Sequence, residues 1–140
     1  MKTFSFLLGA LLVINTAFSQ KIIEKKIPFS AKQTVNLNLK FGDSIQVRYW
    51  DKSEVSVRIE ATINSGHLND ALTVESSSSA EEIVLKTDFD KEMMKQGKAE
   101  DCPGSKSTWR TERNGNDYYV CSKINYQVYL PKQAKLKLET

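Results

Sequence analysis

Two cysteines carry the clearest chemistry in this sequence of 140 residues. Cys102 and Cys121 are the only ones, and in an oxidising compartment such a pair usually forms a disulfide. The bond would close a loop of about 20 residues and stabilise the fold by roughly 3 kcal/mol. His67 is the only histidine, and two thiolates alone do not complete a tetrahedral zinc site. We therefore predict a disulfide, with two separate reduced thiols as the alternative, and neither metal nor cofactor.

The titratable residues do not indicate acid–base catalysis. His67 follows Ser65 and Gly66 in a polar turn, and the sequence names no partner within hydrogen-bond reach. Glu81 and Glu82 are neighbours in a predicted strand, so their side chains point to opposite faces and cannot share a substrate proton. The sequence also lacks a Gly-rich phosphate loop and a nucleophile elbow. We therefore predict no catalytic residues and no enzymatic activity.

The aromatic residues allow two interpretations. Six of them lie in or beside predicted strands: Tyr49, Trp50, Tyr118, Tyr119, Tyr126 and Tyr129. Outward rings can form a face that binds sugar or protein, but aromatic residues are also common packing residues of strands, and we favour packing. Trp109 lies instead in a predicted loop, with Arg110 and Arg113 close by. These three residues are the best candidates for contact with a partner.

The N-terminus has the three-part pattern of a secretory signal peptide. Lys2 supplies a positive start, residues 4–13 are mostly apolar, and residues 17–19 place small side chains where a signal peptidase reads them. The apolar stretch is shorter than the roughly 20 residues that a membrane span needs, so cleavage is favoured over a retained anchor. We predict a signal peptide over residues 1–19 and Gln20 as the first mature residue. The mature chain would have no transmembrane segment and would lie in the periplasm or at the cell surface.

The charged residues do not indicate a nucleic-acid partner. The chain has a formal net charge of +3, and its acids and bases are interspersed, as at residues 51–54 and 98–101. A nucleic-acid binder gathers its basic residues into a patch. We therefore predict a solvated surface of mixed sign and no nucleic-acid binding.

Apolar and polar residues alternate with a period of two through much of the chain. The clearest runs are residues 34–41, 44–49, 54–63, 123–130 and 134–138. This alternation predicts strands with one buried and one solvent-facing side, separated by turns such as Gly42-Asp43. We predict a single all-β domain over residues 20–140, either an antiparallel β-sandwich-like fold or the start of a β-solenoid.

The middle of the chain is less regular. Residues 64–80 are polar and small, with a candidate helical turn near residues 67–72, and residues 82–86 read as one more strand. Residues 88–117 lose periodicity and are predicted as a long irregular loop, within which residues 90–96 form a candidate short helix. The predicted disulfide would tie this loop to the strand that follows it.

Two segments resemble a family of exported bacterial envelope proteins. The first contains FGDSIQV at residues 41–47, WDK at 50–52 and VSV at 55–57, and the second contains INYQVYLP at 124–131 and KLKL at 135–138. They resemble the N-terminal portion of the β-strand-repeat adhesin family, a domain of unknown function. In that family the second segment leads into the first rungs of a repetitive β-solenoid. The resemblance implies an all-β envelope protein, the N-terminal part of a truncated repeat protein, and supplies no catalytic residues.

Together these observations favour an exported, non-enzymatic cell-envelope protein with a structural or adhesion-like role. The alternative is a small secreted or periplasmic binding module for a glycan, a lipid or a peptide. The expected partner is an envelope protein or a glycan. The alternating strand Ala134–Leu138 is a further candidate for self-association, because an unpaired strand edge can pair with another chain.

Overall fold

Alternating burial along strand β4 (Glu54–Ile63) shows how the sequence builds this fold. Every second side chain from Val55 to Ile63 is fully buried, and the residues between them are more exposed. Successive side chains of a strand point to opposite faces, so one face of β4 lies entirely in the core. Strand β9 (Ser122–Pro131) repeats the pattern, with Tyr126 among its buried residues. The strands that periodicity predicted over residues 54–63 and 123–130 are therefore confirmed.

The computed structural model describes residues 19–104, 109–113 and 116–140, with the backbone alone at 109–113 and 116–117. The remaining strands are β1 (Lys21–Pro28), β2 (Thr34–Asn38), β3 (Ser44–Trp50), β5 (Leu72–Ser78), β6 (Glu82–Phe89), β7 (Trp109–Arg113), β8 (Asn116–Val120) and β10 (Lys135–Glu139). A single helical turn, α1 (Lys91–Met94), and 3-10 turns at Asn64–Gly66, Asn69–Ala71 and Ala99–Asp101 join them. Almost all of the predicted signal peptide falls outside the described residues, so its cleavage stays a prediction.

The strands form two four-stranded sheets and a hairpin. Sheet A has the order β1-β4-β9-β3, sheet B has the order β10-β2-β6-β5, and β7 pairs with β8. The buried sides of both sheets contribute to one hydrophobic core, which includes Leu37 of β2, Leu85 of β6, Ile59 of β4 and Leu130 of β9. The all-β class is confirmed as a two-sheet, sandwich-like arrangement, and the outer face of sheet A is left to solvent.

The sheets are mixed rather than purely antiparallel, which corrects part of the prediction. Strand β3 runs parallel to β9, and β2 runs parallel to both β6 and β10. The other pairings within the two sheets are antiparallel. Alternation of side chains is the same in both kinds of pairing, so the sequence pattern does not distinguish them.

The predicted irregular loop over residues 88–117 is only partly irregular. It begins with the end of β6 and then forms α1, where the Asp90 carboxylate accepts hydrogen bonds from the amides of Glu92 and Met93. This is the helix expected within residues 90–96, and it places Met94 in the core. Strands β7 and β8 form a hairpin that begins in the same segment and ends at Val120. One helical turn and a two-stranded ribbon are too short for their periodicity to stand out in the sequence.

Outside that segment, the periodicity also missed strands β1 and β5. β1 has only partly buried residues on its inner side, including two lysines, and β5 ends in a run of serines that are all exposed. Both are edge strands among the described residues, and a polar sequence is tolerated there because one side of the backbone has no neighbouring strand in that part of the chain. The expected helical turns near residues 67–72 are confirmed as the 3-10 turn Asn69–Ala71.

Candidate functional site

Asn64 is the centre of a polar cluster where the two cysteines meet, which we call the Asn64 cluster. Its members are Asn64, Ser65, His67, Asp101, Cys102 and Cys121. Asn64 is fully buried directly after β4 and has a φ of 49°, in the left-handed region that asparagine tolerates better than most residues. Its Oδ1 accepts from the amide of Cys121 at 3.0 Å, and its Nδ2 donates to the carbonyl of Tyr119 at 2.7 Å. Asn64 thereby fastens the end of β4 to the link between β8 and β9.

The two cysteines lie at disulfide distance, with Cα atoms 5.8 Å apart. Cys102 follows the 3-10 turn Ala99–Asp101, and Cys121 joins β8 to β9. The Cα separation lies within the range that disulfides adopt. This geometry suits the predicted bond between Cys102 and Cys121, whose formation in the exported protein stays a prediction.

The Asp101 carboxylate makes hydrogen bonds with three residues from two parts of the chain. Its Oδ2 accepts from the Lys98 amide at 3.0 Å and from Asn64 Nδ2 at 3.4 Å, and its Oδ1 lies 2.8 Å from Nδ1 of His67. The Lys98 amide first, and the His67 ring second, lower the pKa of Asp101 below its ordinary value. The histidine that sequence analysis left without a partner therefore has one, although its side chain is 70% exposed.

The Asn64 cluster does not have the arrangement of a hydrolytic site. A catalytic serine must direct its hydroxyl to the imidazole of the histidine. Ser65 Oγ instead donates to the backbone carbonyl of Asp101 at 2.5 Å. Within the described residues, His, Cys, Asp and Glu side chains form no group of three that could hold a metal ion. The cluster is best understood as the polar joint that holds the β7–β8 hairpin to the sandwich.

Gly97 contributes to this joint through close packing. Its carbonyl accepts from the Tyr119 amide at 3.1 Å, and a Cβ atom at position 97 would collide with the Tyr119 carbonyl oxygen. Only glycine allows the two backbones to approach this closely. Beside the joint lies an open depression of about 240 Å³, lined in part by Ser65, the two cysteines and Lys123.

The three predicted contact residues lie on β7 rather than in an irregular loop. Trp109 is paired with Val120, Arg110 with Tyr119, and Arg113 with Asn116. The hairpin thus carries all three on one short strand. Their side chains lie outside what the structure describes, so a role for Trp109, Arg110 and Arg113 in binding stays a prediction.

A second candidate site lies on the outer face of sheet A, where two aromatic rings stack. The ring centroids of Trp50 and Tyr129 are 4.9 Å apart, with an interplanar angle of 28°. Trp50 Nε1 donates to the carbonyl of Glu54 at 2.8 Å, and Lys52 Nζ lies 4.9 Å from the centroid of the Trp50 ring. Trp50 is therefore held by Tyr129, by Lys52 and by the hydrogen bond at its nitrogen, and it supports one side of Tyr129.

Polar side chains surround this aromatic pair because the strand register aligns them. Gln46 of β3 is paired with Gln127 of β9, and Arg48 is paired with Tyr129. Together with Trp50 they form what we call the Tyr129 face. A small hollow of about 60 Å³ lies among Gln46, Arg48, Gln127 and Tyr129. Within the described residues, the side chains of Gln46, Arg48 and Gln127 make no hydrogen bond or ion pair, so their polar groups are available to a ligand.

Sequence analysis favoured packing for the aromatic residues, and the structure divides them. Tyr126 is fully buried in the core, as packing requires, while Tyr129 lies on the opposite side of the same strand and reaches the outer face. The alternation of β9 already separated these two residues. The sequence pattern did not show that β3 is the neighbour of β9, and β3 supplies Arg48 and Trp50.

Comparisons with known proteins give little further guidance. No family model matches the chain, and no curated protein matches it. Among solved structures, a Clostridium sporogenes protein proposed to act in cell adhesion matches with a TM-score of 0.46 and 11% identity. The match covers 85% of this chain and 45% of that protein. A likeness of this size does not establish a common fold or function. In the described part of the chain, no helix has the length and apolar character of a membrane span.

Proposed function

We propose that the mature chain is an exported, non-catalytic β domain with an adhesion-like role at the cell envelope. The observation that carries this proposal is the Tyr129 face, where a fixed aromatic pair lies beside polar side chains that make no hydrogen bond or ion pair within the described residues. A surface that serves only solubility has no need to hold Trp50 against Tyr129 from several directions. Convergent polar groups beside a rigid ring are typical of a binding surface.

Export is the part of the proposal that rests on sequence. The N-terminal pattern is that of a signal peptide, and the cysteine pair lies at disulfide distance, which suits an oxidising compartment. The resemblance to exported β-strand-repeat adhesins points the same way. We therefore place the protein in the periplasm or at the cell surface.

A binding module for a small glycan, lipid or peptide is the second candidate. The depression of about 240 Å³ beside the Asn64 cluster is the observation that favours it. That depression is wide open and lined by polar and charged groups, including Asp101 and Lys123, which suits a polar ligand better than a lipid tail. The Tyr129 face is the stronger of the two sites because its aromatic ring is fixed.

The proposal can be tested by fractionation and binding. Mass spectrometry of protein from the native host's envelope fraction should find Gln20 at its N-terminus, and purified residues 20–140 should bind isolated envelopes saturably. Arg48→Glu should weaken that binding at least tenfold. Lys86→Glu is the matched control, because it reverses an exposed charge on sheet B, away from both candidate sites. An intact Met1, or no saturable binding to envelopes, would contradict the proposal.

A further inference from the structure

We propose that the Tyr129 face binds an acidic polysaccharide, with Tyr129 as the stacking surface for a sugar ring and Arg48 as the partner of a sugar carboxylate. This inference rests on the proposed function and gives it a ligand class. Three observations support it: the fixed position of the Tyr129 ring, the hydrogen-bonding groups beside the hollow, and the charge of the residues aligned with Tyr129 across sheet A.

The ring of Tyr129 is already oriented for stacking. Trp50 covers one side of it, and Trp50 cannot turn away without losing its hydrogen bond to Glu54 and its contact with Lys52. Tyr129 also borders the hollow. The negative face of an aromatic ring attracts the slightly positive C–H groups of a sugar, and a ring held in place loses little freedom when the ligand arrives.

The side chains around the hollow match the groups of a sugar. Gln46 and Gln127 stand side by side, and each amide offers two donors and one acceptor, which suits neighbouring hydroxyls that both donate and accept. Arg48 lies directly beside Tyr129 and presents a planar fork of donors. Such a fork binds a carboxylate with two parallel hydrogen bonds.

The charge along sheet A favours an acidic ligand at this position. The row through Tyr129 runs across all four strands as Lys26, Ser56, Tyr129 and Arg48. It contains two cations and no carboxylate. Of the two adjacent rows, one contains Arg58, which is bonded to Glu24 at 2.7 Å and to Glu60 at 3.1 Å, and the other contains Glu54. The row through Tyr129 is therefore the most positive of the three.

A sugar also fits the shape of the site better than an acidic peptide does. Peptides are usually held by the backbone of a sheet edge or by apolar pockets for their side chains. The Tyr129 face offers a ring surface, two amides and a guanidinium around a hollow of only about 60 Å³. A sugar ring can lie flat on Tyr129 with its carboxylate over Arg48, and needs no pocket.

Three hexamers test the proposal against purified residues 20–140 by calorimetry. They are galacturonate hexamer, its fully methyl-esterified form, and glutamate hexapeptide. We expect galacturonate to bind at least tenfold more tightly than the ester and the peptide. Arg48→Gln should remove most of the difference between galacturonate and its ester, and Tyr129→Leu should weaken the binding of both by at least tenfold.

Lys86→Gln is the matched control, because it removes an exposed cation from a strand of the other sheet. It should leave the affinity for galacturonate within twofold of the unchanged protein. Amide NMR shifts of the unchanged protein on titration with galacturonate provide a test that needs no variant. They should concentrate on β3 and β9.

Three results would overturn the inference. These are no galacturonate binding at millimolar concentration, equal binding of the glutamate peptide, and shifts located away from β3 and β9. If galacturonate fails while envelope binding still depends on Arg48, the acidic-sugar ligand is wrong and the adhesion-like role stands. If envelope binding is also absent, the proposed function fails as well.

Discussion

The hydroxyl of Tyr126 lies 2.9 Å from Oγ1 of Thr87, and this hydrogen bond joins sheet A to sheet B through the core. Both residues are buried. The Tyr126 hydroxyl also donates to the carbonyl of Lys40 at 2.8 Å, and Thr87 Oγ1 also donates to the carbonyl of Asn38 at 3.4 Å, so either hydroxyl can be the donor in the bond between the two side chains. Thr87 in turn accepts from the Lys40 amide at 3.0 Å.

Removing the Tyr126 hydroxyl should lower stability and change its dependence on pH. Tyr126→Phe leaves the Lys40 carbonyl without this donor and should lower the free energy of unfolding by about 1–2 kcal/mol in urea denaturation at pH 7. Burial raises the pKa of Tyr126, so the folded state holds its proton more tightly than the unfolded chain does.

The contribution of the Tyr126 proton to folding stability is therefore fully present below a pH of about 10. It is lost as the pH rises through the pKa that Tyr126 has in the folded protein. Unfolding midpoints measured at intervals between pH 9 and 11.5 should fall more steeply for the unchanged protein than for Tyr126→Phe. Tyr49→Phe is the control, because the Tyr49 side chain is 55% exposed. Parallel curves for the unchanged protein and Tyr126→Phe would contradict this prediction.

Acid should weaken the Asn64 cluster through Asp101. The folded pKa of Asp101 is lowered, so its contribution to stability is present above the unfolded pKa of about 3.8 and is lost as pH falls through the folded value. With Asp101→Asn, the free energy of unfolding should fall less steeply below pH 4 than it does in the unchanged protein. His67→Gln should reduce this pH dependence by a smaller amount, because the Lys98 amide is the main cause of the lowered pKa of Asp101. An effect of His67→Gln as large as that of Asp101→Asn would show that this order is wrong.

The cysteine pair should stabilise the fold without specifying it. Non-reducing peptide mapping of host-purified protein should recover one linked pair, Cys102 with Cys121. Replacing both with Ala should lower the free energy of unfolding by roughly 3 kcal/mol and preserve the β circular dichroism spectrum, because the alternating strands form the core. Alkylation of both thiols in the native protein would exclude the bond.

Strand β10 should support self-association through its outer edge. It lies at the edge of sheet B, and no described strand pairs with its outer side. Leu136 is partly buried against the core, whereas Leu138 is 38% exposed. Leu138→Lys should therefore reduce association in light scattering with less damage to the fold than a change at Leu136. A strict monomer at high concentration for both the unchanged protein and Leu138→Lys would contradict the prediction.

Alternation along the chain was enough to predict the class of the fold and the buried side of each central strand. Val55, Ile59 and Tyr126 lie in the core because alternation with a period of two assigns each side chain to a face before any neighbour is known. The short helix after Asp90 could be predicted for a similar reason, since its capping residue and its two methionines are close together in sequence. Local spacing was sufficient for these features.

The order of the strands in the sheets is visible only in the folded chain, and both candidate sites depend on that order. Arg48 meets Tyr129 because β3 runs parallel to β9, and Asn64 meets Asp101 because the link after α1 returns to the end of β4. These partners are separated by tens of residues, and no local pattern encodes such a contact. It follows from how two sheets bury their apolar sides against each other, which is a property of the whole chain.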